Sequence, residues 1–103
     1  MSFQLIVQLR GETIIDFDAM VELENELIAV LDETADVDGH DIGSGETNIF
    51  IFTSNPSQTF HDIKPILEHM CLLESSTVAF RPSEGGSFKI IWPEVSNSEF
   101  HLA

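Results

Sequence analysis

Residues 36–53 read DVDGHDIGSGETNIFIFT, and the architecture turns on how they are parsed. Three aspartates and a histidine could mark a metal loop; two glycines could mark a phosphate cradle. Neither parse survives the spacing. Counted as a calcium loop from Asp36, the third ligand position falls on His40, the glycine position on Asp41 and the twelfth on Thr47, where such a loop requires an oxygen ligand, Gly and Glu. A zinc site needs three or four converging ligands, but Asp38, His40 and Asp41 lie on an extended segment whose successive side chains alternate faces. Gly43-Ser44-Gly45 is followed by Glu46 and not by Lys, so a bound phosphate would meet carboxylates. Ser44 lacks the G-x-S-x-G elbow of a nucleophile. Two strands near 36–42 and 47–53, joined by a tight glycine turn, explain every residue.

Working outward, FQLIVQLR (3–10) alternates Phe3, Leu5, Val7 and Leu9 with polar residues, which predicts a half-buried strand. Between it and the hairpin, Phe17, Met20, Val21, Leu23, Leu27, Ile28 and Leu31 recur at three and four. That predicts an amphipathic helix over 17–32, capped by Asp16. Beyond the hairpin, Asn55 is an N-cap candidate and Pro56 suits a first helical position. Phe60, Ile63, Leu67 and Met70 form that helix's stripe, and Pro65 is expected to kink it or split it in two. STVAFRP (76–82), the turn SEGG and SFKIIWP (87–93) read as a closing hairpin, while 94–103 carry no periodicity and read as a loose tail.

The predicted order is β-α-β-β-α-β plus one further strand. The fold class is α+β: a single split-βαβ, ferredoxin-like domain over 1–103, with both helices on one face of an antiparallel sheet. Phe50 and Phe52 alternate with Ile49 and Ile51, so the sheet's other face is only partly polar. It could be an ordinary central sheet surface or a face used by a partner or a second copy.

Composition narrows function. The chain has 103 residues, 43% hydrophobic, with eight Phe, enough for one domain with a real core and too apolar for disorder. The opening residues lack the charged n-region of a signal peptide, and no run approaches the ~20 apolar residues of a membrane helix. Cys71 is the only cysteine, so neither an internal disulfide nor a Cys-rich zinc cluster is expected, and a cytoplasmic setting fits. His61 and His69 stand roughly 12 Å apart along one helix, too far to share an ion. No metal, no cofactor and no catalytic residue is expected.

Charge is the outlying property. Eighteen acidic residues face four basic ones, Arg10, Lys64, Arg81 and Lys89, for a formal net charge of −14. Between Arg10 and Lys64 there is no Lys or Arg. Asp18, Glu22 and Glu26 fall at i, i+4 and i+8 of the first helix, and Asp32 and Glu33 at its end, where the dipole prefers cations. Direct nucleic-acid binding needs Lys and Arg and is not expected. An anionic membrane would also repel the chain. Such a field attracts a cationic partner.

In size, acidity and split-βαβ order the chain resembles small acidic immunity proteins that neutralise the toxins of contact-dependent growth inhibition or similar secreted nucleases. GHDIGSGETNIFIF, followed by a helix and an FRP…WP hairpin, also resembles a small ferredoxin-like bacterial family of unassigned activity. The first resemblance implies a cytoplasmic protein without cofactor or enzymatic activity that occludes a basic nuclease domain, a ribonuclease being the expected target. The residues it points to are Asp36, Asp38, Asp41 and Glu46, helped by Glu22 and Glu26, with His40 as a neutral contact. The competing reading is a small-ligand regulatory module like the ACT domain, dimeric through its sheet; repulsion between two chains of −14 favours a monomer.

Overall fold

The computed structural model describes residues 2–10, 17–43 and 46–93. The expected Asp16 cap, the Ser44-Gly45 part of the turn and the 94–103 tail lie outside them. In chain order the elements are β1 (Phe3–Arg10), α1 (Phe17–Leu31), β2 (Ala35–Gly43), β3 (Glu46–Thr53), α2 (Pro56–His69), β4 (Ser76–Pro82) and β5 (Lys89–Trp92). A 3₁₀ turn, Leu73–Ser75, which the periodicity does not predict, precedes β4. Among the described residues the fold is α+β: one open antiparallel sheet of five strands in the order β2-β3-β1-β4-β5, with two helices.

β1 is the centre of the sheet. Leu5 stands between Ile51 and Phe80, and Val7 between Ile49 and Val78. Directly paired residues of neighbouring strands share a face, so these side chains form one apolar surface. Met20, Leu23, Leu27 and Leu31 of α1 and Phe60, Ile63 and Leu67 of α2 join it in a single core. The four α1 residues recur at intervals of three, four and four, which keeps them on one stripe. Ile28, expected in that stripe, is instead 52% exposed. It follows Leu27 by one residue, about 100° around the axis, and so falls on the helix flank.

α2 starts as expected. The Asn55 side chain accepts a hydrogen bond from the Gln58 backbone N–H at 3.1 Å, and Pro56 takes the first helical position. Pro65 does not split the helix, which continues to His69. The proline ring is exposed, and residue 61, whose carbonyl loses its helical partner, lies on the same outer side, open to solvent.

At the far edge Trp92 seals the core. Its indole N–H donates to the Leu73 carbonyl at 3.2 Å, its ring lies 5.9 Å from that of Phe60, and the Lys64 ammonium sits 4.8 Å above it. The opposite face of the sheet is less wet than alternation suggests. Phe50, Ile6, Ala79 and Ile90 form a row across four strands, and Ile6 and Ala79 are both 0% exposed. Beside them Gln8 donates to Asn48 at 3.1 Å and to Glu46 at 3.2 Å.

Candidate binding surface

Acidic side chains reach the surface from α1, the turn after it, and β2. α1 exposes Asp18 and Glu22, with Glu26 half-buried. The helix then closes without glycine: Asp32 adopts a left-handed conformation (φ 48°) and its N–H bonds to the Ile28 carbonyl at 2.9 Å. Thr34 completes the closure, its backbone N–H and its hydroxyl both donating to the Leu31 carbonyl. Asp32 and Glu33 are thereby held in solvent beside carbonyls that prefer cations.

β2 leaves this turn as an edge strand, paired among the described residues on one side only, with β3. Its register shifts between Val37 and Gly39, so Asp38 is the extra residue of a bulge. Asp36 pairs with Phe52 and Asp41 with Asn48, which puts both carboxylates on the face away from the core. His40 pairs with Ile49 and points to the core side. There its Nδ1 lies 2.8 Å from a Glu24 carboxylate oxygen of α1, the two side chains 25% and 17% exposed. At that exposure the pair contributes at most about 1 kcal/mol. Its consequence is positional: it ties the middle of the edge strand to the helix.

The expected binding residues therefore do not form one flat patch. Asp36, Asp38 and Asp41 lie exposed along β2. Glu46, at the start of β3, is half-buried, stands across from Arg10 and accepts from Gln8, so it is engaged inside the sheet's own polar row. Glu22 and Glu26 belong to α1, on the other side of β2. Each of them is two residues from Glu24, about 200° around the axis, so they project from the side of α1 turned away from β2 and the two groups stay apart. Glu24 was not among the expected site residues; helical spacing put it beside the apolar stripe, but only the register of β2 reveals its partner.

A cleft of about 280 Å³ opens where β2 begins, lined by Asp32, Glu33, Asp36, Phe52 and Ser54 among others. Its acidic rim and aromatic wall suit the head and stem of a Lys or Arg side chain. A second cleft, about 370 Å³, is lined by Glu68, Cys71, Leu73 and Glu74. Among the described residues no three His, Cys, Asp or Glu side chains are grouped to hold a metal ion, and no helix is long and apolar enough to cross a membrane.

The cations lie elsewhere. Lys64 sits over Trp92, and Arg81 lies 4.6 Å from the Phe88 ring centre while donating to Gln4 at 3.1 Å. Lys89 is on β5, the edge opposite β2. Arg10, the fourth, ends β1 across from Glu46. No family model, curated protein or solved structure matches the chain.

Proposed function

We propose that this protein is an inhibitor of the immunity type, which binds the basic nucleic-acid groove of a nuclease toxin domain, a ribonuclease in the first instance, and blocks it. The observation that carries this reading is the set of acidic side chains exposed along α1, the Asp32-Glu33 turn and β2, a stretch without Lys or Arg whose one histidine, His40, is engaged by Glu24. A nuclease surrounds its active site with Lys and Arg to hold phosphates; a carboxylate surface competes for those groups and requires no chemistry of its own. The protein would act in the cytoplasm, as a monomer, without cofactor.

The fold reading that accompanies it is the split-βαβ, ferredoxin-like arrangement, with β5 added beyond β4. It is supported by β3 lying between β1 and β2, by antiparallel pairing throughout, and by both helices sharing one core with the same sheet residues.

Co-expression tests the function. Cells producing a basic nuclease toxin encoded beside this gene should survive with the wild-type protein. Asp38→Ala combined with Asp41→Ala should leave circular dichroism unchanged, abolish protection and weaken binding by about 2–5 kcal/mol, because partner cations are left buried and unpaired. Full protection by the double variant, with unchanged salt dependence of binding, would exclude the β2 carboxylates as the contact. A stable dimer in sedimentation equilibrium would favour the ACT-like alternative.

A further inference from the structure

The acidic residues of β2 share their strand with a second feature, an unpaired main-chain edge. β2 is nine residues long, and among the described residues its outer side has no strand neighbour. Such an edge presents a row of N–H and C=O groups that can template another strand. The bulge at Asp38 leaves Gly39–Gly43 as the longer regular segment, and the Glu24–His40 contact holds that segment against α1.

The side chains flanking this edge differ on its two sides. Away from the core stand the exposed carboxylates Asp36 and Asp41. On the core side stand half-buried Val37 and, overhanging from α1, Ile28. Ile28 follows Glu24 by four residues, so it lies on the helix flank that faces β2, one turn along. Among the described residues it is the most exposed of the large apolar side chains. An added strand alternates its side chains between the same two sides. One row would therefore meet carboxylates and the other would meet Ile28 and Val37.

We infer that the β2 edge is a docking site for an extended segment of a protein partner in which Lys or Arg alternates with apolar residues. This rests on the cationic-partner reading above and specifies how such a partner is held: by strand addition, with charge on one side and apolar contact on the other. A second copy of this chain is the wrong occupant, since pairing β2 with itself brings Asp36, Asp38 and Asp41 against their own counterparts.

The test uses the whole protein with synthetic peptides of alternating Lys and Val. A control peptide of the same sequence carries N-methyl groups on alternate amides, keeping its charge and losing one edge of hydrogen-bond donors. By calorimetry at low salt the unmodified peptide should bind at least tenfold more tightly than the methylated one. Its addition should slow hydrogen exchange of the amides in Gly39–Gly43. Ile28→Glu, an exposed position, should fold normally and lower the affinity about tenfold. Equal binding of both peptides, with no protection in β2, overturns strand addition and leaves a purely electrostatic acidic surface. Binding of neither overturns the cationic-partner reading as well. Protection of β2 that grows with protein concentration in the absence of peptide would assign the edge to a second copy and overturn the proposal.

Discussion

Asp32 illustrates a residue kept against stability. It occupies a left-handed conformation at the end of α1 (φ 48°), where glycine is the favoured residue, and it adds a negative charge to the wrong end of the helix. Asp32→Gly relieves both. It should stabilise the protein by about 1 kcal/mol, seen as a higher urea midpoint with the m-value unchanged; a loss of stability would mean that the carboxylate makes a compensating contact. The residue also lines the acidic cleft at the start of β2, so the same substitution should weaken binding of a cationic partner. Because no glycine marks this terminus, the sequence shows where the apolar stripe stops but not how the helix is closed. Asn55 is the opposite case: followed by Pro56, it announces the start of α2, and its side chain does cap the helix.

At the scale of elements, the strands and helices were legible wherever the apolar period was unbroken. Met20, Leu23, Leu27 and Leu31 are all buried to 0% exposure, and the alternation of Leu5, Val7 and Leu9 marks β1 correctly. What the pattern could not supply was pairing. The Asp38 bulge, the Glu24–His40 contact and the division of the acidic residues between two sides of β2 all depend on register, which alternation leaves open until strands are aligned. Pro65 predicts an interruption because a proline removes a helical hydrogen bond. Its exposed position lets α2 absorb that loss. Pro65→Ala should therefore stabilise the protein, by up to about 3 kcal/mol, less what the more flexible unfolded chain regains. A lower thermal midpoint for this variant would show that the proline is required by the packing of α2.

For the whole molecule, a net charge of −14 on 103 residues means that folding gathers like charges together. Asp18, Glu22 and Glu26 succeed one another along α1 at four-residue spacing, each adjacent pair costing about 0.2–0.5 kcal/mol. Raising ionic strength from about 0.01 M to about 0.15 M shortens the screening length from roughly 30 Å to 8 Å. The protein should gain about 1 kcal/mol, a rise in melting temperature of roughly 4–8 °C for a domain of this size; a flat salt response would show that the acidic surface is locally compensated. Salt should act oppositely on the encounter with a cationic partner, slowing it. The position of β1 has its own consequence for how the molecule is made. Phe3 pairs with Thr53 on one side and Pro82 on the other, so the first strand in chain order waits for the fourth before it has both neighbours. A ribosome that has released only the first hairpin leaves one side of β1 open, and the nascent chain cannot complete its sheet until residues 76–82 emerge. Long-range closure of this kind slows folding in general, and like charge on neighbouring chains opposes the pairing of strands left open meanwhile.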